Sequence, residues 1–114
     1  MPVMHISTAE EWEEVYRRIT GHLVVVCFGA AWCGPCRRIA EEYEALAAEY
    51  SDVRFVKIDV DAARGNIEAV DTVRSLPSFA LIRNQEQVDA MTGAHIKELR
   101  AKIETHRLSA SRAN

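Results

Sequence analysis

The stretch LVVVCFGAAWCGPCRRIAEEYEALAAEY, residues 23–50, decides how the rest of the chain is read. It opens with Leu23 to Phe28, an unbroken apolar and largely β-branched run. A strand with one wet face alternates polar and apolar residues, whereas a strand covered on both faces does not, so this run is expected at the centre of a sheet. Gly29 to Trp32 then form the turn. Beyond it Ile39, Tyr43, Leu46, Ala47 and Tyr50 recur with helical period, predicting a helix from Gly34 or Pro35 to about Tyr50, the longest of the chain. Pro35 suits the first helical turn, where no intrahelical bond is lost with its missing N–H.

On the N-terminal side, Trp12, Val15, Tyr16 and Ile19 share one helical face, with Ser7 and Glu10 spaced as a capping box before it. This aromatic stripe reads as core rather than as a cofactor site. On the C-terminal side, Val53 to Ile58 reads as a strand, followed by Asp59 and Asp61 in a loop and a short helix around Asn66 to Val70. The alternation of strand and helix favours parallel pairing through right-handed crossovers. The rhythm then changes to two short strands, Ser78 to Ile82 and Gln87 to Thr92, close enough for an antiparallel hairpin. A last helix turns Ile96, Leu99 and Ile103 inward. From Leu108 the composition is small and polar, so residues 1–107 are expected as the domain and 108–114 as a flexible C-terminal tail.

The 114 residues suffice for one domain and one core, with 48% hydrophobic and 27% charged residues, the mixture of a soluble globular protein. A net charge of −3 offers no basic face for nucleic acid and no polybasic arm for a membrane. Residues 1–7 hold no basic stretch followed by an apolar run, so no secretory leader is expected. Three cysteines suit a reducing compartment better than a disulfide framework, and the expected location is cytoplasmic.

The chemistry lies in Trp32-Cys33-Gly34-Pro35-Cys36. Cysteines three apart on a first helical turn can face each other and close a small ring. Free backbone N–H groups and the helix dipole favour a thiolate there, a behaviour already known of Cys-X-X-Cys motifs, and this marks Cys33 as the nucleophile. Cys36, one turn deeper, is placed to attack the resulting mixed disulfide and release reduced substrate. Gly34 and Pro35 put no charge beside the thiolate, whereas a histidine there would stabilise the reduced form and make the pair an oxidant, so a reductant is expected. Half a zinc site is the competing reading, but His5, His22, His95 and His106 supply no second ligand pair at suitable spacing, and no metal is expected.

The chain resembles the thioredoxin family from about Val3 to Arg107. The matching words are Val24-Val25-Val26, Trp32-Cys33-Gly34-Pro35-Cys36, Lys57-Ile58-Asp59-Val60-Asp61, Leu76-Pro77-Ser78-Phe79 and Thr92-Gly93-Ala94, in family order and spacing. The resemblance implies an α/β thioredoxin fold, a central mixed sheet of four to five strands flanked by helices on both faces. It also implies a monomer with no bound cofactor, reduced by a thioredoxin reductase and acting on disulfide-containing proteins. It implies that Pro77 is cis, and that Leu76 and Pro77 face the dithiol, Leu76 pairing its backbone with an extended substrate segment. Trp32, Gly34, Pro35, Gly93 and Ala94 would complete that shallow substrate surface.

Some positions depart from the family pattern. Cys27 stands where relatives commonly carry a buried aspartate, and a buried thiol cannot replace a carboxylate near neutrality. Cys27 is therefore expected to act as a small hydrophobe, leaving resolution by Cys36 to water or another group and somewhat slow. Lys57, the family's buried lysine, then lacks that partner and is expected to reach Asp59 or solvent. Both residues are expected to modulate the dithiol. Glu41 replaces a helix-bending proline, and Asn84-Gln85 replaces an Asn-Gly turn, so another turn type is expected because glutamine disfavours positive φ. Asp59 and Asp61 do not continue into a calcium loop, since Ala63 and Arg64 break the pattern. Arg37 and Arg38 read as solvated charge. The alternative function is a binding module of the same fold with weak redox turnover.

Overall fold

The computed structural model describes residues 3–112, with side chains to 107. Its elements run β1 (Met4–Ile6), α1 (Ala9–Arg18), β2 (Leu23–Gly29), α2 (Gly34–Glu49), β3 (Val53–Asp59), α3 (Val60–Ala63), α4 (Glu68–Asp71), β4 (Ser78–Arg83), β5 (Glu86–Thr92) and α5 (Ile96–Arg112). One five-stranded sheet forms in the order β1-β3-β2-β4-β5. The first three pair in parallel; β4 and β5 pair antiparallel. The division at 107/108 and the tail fall at and beyond the last side chain described.

The central place expected for β2 is observed, and its side chains explain the unbroken apolar run. Leu23, Val25 and Cys27 enter one core with Ile39, Tyr43 and Leu46 of α2 and Leu99 and Ile103 of α5. Val24, Val26 and Phe28 enter a second core on the opposite face, with Val60, Ala63 and Val70, the partly buried Trp12 and Val15 of α1, and Ile19 just after it. Period-two alternation with both faces covered leaves no polar position on the strand.

Several local expectations are corrected. The capping box is Thr8 with Glu11, not Ser7 with Glu10: Glu11 N–H donates to Thr8 Oγ1 at 3.1 Å and Thr8 N–H to Glu11 Oε1 at 3.1 Å. Ser7 N–H donates to the same carboxylate at 2.9 Å, so one glutamate serves two free amides. The α1 stripe is half-buried rather than deep core. Helix α5, at 17 residues, exceeds α2, at 16. Asp59 ends β3 and caps the single turn of α3, accepting from Asp61 and Ala62 N–H, so neither acid lies in an open loop.

The hairpin tip also differs from expectation. Asn84 and Gln85 both take positive φ, +49° and +68°, the conformation of a tight two-residue turn whose twist matches the strands. Contacts from elsewhere hold Gln85 there. Tyr16 Oη donates to Gln85 O at 2.6 Å, and Gly21 N–H donates to Asn84 Oδ1 at 2.9 Å, so α1 and the loop after it clamp the turn.

Candidate active site: a cysteine pair at the mouth of helix α2

Strand β2 delivers the chain to the site at Gly29, where room is short: a Cβ there would lie 3.3 Å from Cys36 Sγ. The turn closes with Cys33 N–H donating to Ala30 O at 3.1 Å. Cys33 then caps α2 with an extended backbone, its Sγ accepting the Cys36 N–H at 3.2 Å. A first-turn amide thus points at the Cys33 sulfur, which favours charge on it once reduced. Cys33 and Cys36 are joined as a disulfide with Cα atoms 5.3 Å apart, and both are buried.

Trp32 stands out beside them, 65% exposed. Its Nε1–H donates to Asp61 Oδ2 of α3 at 2.7 Å, which fixes the indole beside the pair. Arg37 is anchored by a 2.7 Å bond to Ala31 O. Trp32, Cys33, Gly34, Pro35 and Leu76 line one shallow hollow of about 320 Å³, together with Val60, Val73, Ser75 and two arginines, Arg64 and Arg74. Sequence reasoning missed Asp61 as a partner of Trp32, and it missed both arginines.

The Leu76–Pro77 peptide is cis, as expected. Pro77 is buried, and its carbonyl accepts Gly93 N–H at 2.8 Å. Gly93 has φ +95°, and a Cβ there would sit 2.8 Å from the His95 ring. Ala94 packs against the α2/α5 core. Substituting Gly93→Val should therefore cost about 1–2 kcal/mol, from left-handed backbone and ring collision together. Its melting point should fall by roughly 5–10 °C, and a melt within about 2 °C of the parent would contradict this.

Cys27 is buried between Lys57 on β3 and Phe79 on β4. Burial pushes its thiol up to about 12, against a smaller downward pull from the Lys57 ammonium, so it is neutral at physiological pH. Lys57 is half-buried and lines a second hollow of about 570 Å³ with Gly29, Cys36, Arg37 and Asp59. It makes no ion pair among the described residues. Of the two destinations expected for this lysine, it takes the solvent-open hollow; the carboxylate of Asp59 caps α3 instead.

A mixed sheet with a buried Cys-X-X-Cys disulfide at a helix N-terminus, and a cis-proline just before β4, has the arrangement of a dithiol–disulfide redox site. The sequence model of the family described as Thioredoxin matches residues 3–105. The chain belongs to the thioredoxin family. It is 38% identical to thioredoxin-1 of Schizosaccharomyces pombe over 104 residues, covering 91% of this chain and 98% of that one. It superposes on the crystal structure of thioredoxin NaTrxh from Nicotiana alata with a TM-score of 0.85 at 34% identity, covering 93% of each chain. It is also 33% identical over 107 residues to the peptide-N(4)-(N-acetyl-beta-glucosaminyl)asparagine amidase of Caenorhabditis elegans, but spans only 18% of that relative's length.

Proposed function

We propose that this chain is a protein-disulfide reductase whose reduced Cys33–Cys36 pair donates two electrons to disulfides in other proteins. The Cys33 thiolate attacks one sulfur of the substrate disulfide; that S–S bond breaks, and the leaving substrate thiolate takes a proton. The deprotonated Cys36 then attacks Cys33 Sγ, closing the 33–36 disulfide and expelling the second substrate sulfur as a thiolate, which is protonated in turn. The substrate is reduced by two electrons and the protein oxidised by two. An external dithiol restores the pair, and we assign that part to a thioredoxin reductase in the cytoplasm.

The observation that carries this reading is the bond from Cys36 N–H to Cys33 Sγ at the first turn of α2. The exposed indole of Trp32, with Gly34, Pro35, Leu76, Pro77, Gly93 and Ala94, forms the substrate surface in this reading. Leu76 lends backbone groups to an extended substrate segment. Insulin reduction with dithiothreitol tests it: addition of the protein should shorten the lag before the reduced chains precipitate. A neutral Cys27, unable to take a proton from Cys36, favours the second reading of a slow-turnover binding module. An unchanged lag would support that module and sink the reductase.

A further inference from the structure

The hollow beside the dithiol is cationic, although the chain as a whole carries −3. Arg64 follows the turn of α3, and Arg74 precedes Leu76 by two residues; both are exposed and both line the hollow. Among the described residues no carboxylate lines it. Neither arginine makes an ion pair or a side-chain hydrogen bond among the described residues. Two neighbouring acids bond elsewhere: Asp61 accepts from Trp32 Nε1–H, and Asp71 from the N–H of Gly65. A third guanidinium, that of Arg38, lies 3.6 Å from where a Gly34 Cβ would stand, so positive charge flanks the motif on the helix side as well.

We propose that Arg64 and Arg74 select, among disulfide substrates, those carrying an aspartate or glutamate two residues from the attacked cysteine. The inference rests on the reductase reading and names its substrate class. An extended segment repeats its side-chain direction every second residue, about 7 Å along the strand. A carboxylate two positions from a cysteine docked on Cys33 thus falls within the span of an arginine on the same hollow. Two guanidiniums left without partners offer bidentate donors to it, and they also steer an acidic substrate toward the site before contact.

The effect is moderate, because these are exposed charges. One exposed pair changes a rate by roughly 1.5- to 5-fold, and exchanging acid for base reverses its sign. The ratio of kcat/KM for an acidic over a basic substrate should therefore be about tenfold at low ionic strength. It should shrink as the screening length falls from about 30 Å at 0.01 M salt to about 8 Å at 0.15 M.

The test uses the reduced full chain and three otherwise identical disulfide-linked peptides, with Glu, Gln or Lys two positions from the attacked cysteine. Each rate is divided by that of dithiothreitol alone, which removes the intrinsic effect of the peptide's charge on its own disulfide. The expected result is a Glu-over-Lys preference in the wild type that decays with salt and falls close to one in the R64Q/R74Q double variant. Reduction of all three peptides at equal normalised rates overturns the inference and leaves the reductase reading standing. A preference that survives in the double variant overturns the assignment to these arginines. Failure to reduce the Gln peptide at all overturns the reductase reading and the inference with it.

Discussion

Cys36→Ser is expected to turn the protein from a catalyst into a trap, and Cys33→Ser is expected to abolish both behaviours. The two sulfurs are chemically alike, but their places on α2 differ: Cys33 caps the helix and receives an amide N–H, whereas Cys36 lies a turn deeper against Gly29 and the hollow lined by Lys57. Attack by Cys33 on a substrate disulfide does not need Cys36, so the first bond still forms in Cys36→Ser. Release does need it, because only an internal thiolate at this distance competes with slow attack by free thiol. Insulin reduction should fall by roughly 10³-fold or more in either variant. Mass spectrometry should find a substrate covalently held on Cys36→Ser through position 33, and none on Cys33→Ser. An adduct through any other residue, or activity retained by Cys33→Ser, would contradict the assignment of roles.

The second large effect concerns stability in alkali. Cys27 is neutral in the folded protein up to about 12, against an ordinary value of 9.0, because ionisation would place a charge in an apolar core. Above about pH 9 the unfolded chain has lost a proton that the folded one keeps. Stability that is fully present below that pH is therefore lost as pH rises toward the folded value. With about 1.4 kcal/mol per full unit, the loss between about pH 9 and 11 is about 2 kcal/mol, a sizeable share of a small domain's stability. Denaturant titrations of the oxidised protein, in which Cys33 and Cys36 do not titrate, isolate this group when the parent is compared with Cys27→Ala. Tyr43 and Tyr50, also raised by burial, act in the same direction from about pH 10 and are common to parent and variant. Cys27→Ala should be weaker than the parent near neutrality, by about 1–2 kcal/mol for the cavity, but should lose less stability with pH. Parallel losses over that range would show that the thiol is not the group responsible.

The same burial bears on catalysis. A thiol that holds its proton to about 12 cannot accept one from Cys36 near neutrality. The hollow that reaches Cys36 holds the ammonium of Lys57, a cation with no partner among the described residues, and it opens to solvent. We propose that this positive charge favours the Cys36 thiolate, while the proton itself leaves to solvent through the hollow.

What could be read from the chain follows from the range of the forces involved. The central strand was legible because burial on both faces leaves an unbroken apolar run over Leu23 to Phe28. The long helix, the hairpin strands and the cysteine pair were legible because each is defined by its own residues. Where two registers satisfied one local pattern, sequence chose wrongly: Ser7-x-x-Glu10 and Thr8-x-x-Glu11 are both capping boxes on paper, and only backbone geometry selects the second. Where the deciding contact is distant, no local signal existed. Gln85 takes positive φ because Tyr16, 69 residues away, binds its carbonyl, and Trp32 is set by Asp61, 29 residues away. Arg64 and Arg74 come to the dithiol only when the segments after β3 fold back beside α2. Asp59 had a readable signal that was passed over, an aspartate placed to cap the turn that follows it.

The account rests on a sulfur at position 33 that ionises easily because a helix begins there. The direct measurement is the rate of Cys33 alkylation in the fully reduced protein as a function of pH, with each cysteine resolved by peptide mapping. Thioredoxin is itself a known example of an acidified Cys-X-X-Cys motif, and the midpoint for Cys33 should lie at least about one unit below the ~8.5 of a free thiol. Cys36 and Cys27 should react far more slowly. If Cys33 titrates like cysteine in solution, or Cys36 reacts first, the helix does not activate the nucleophile and the proposed chemistry fails.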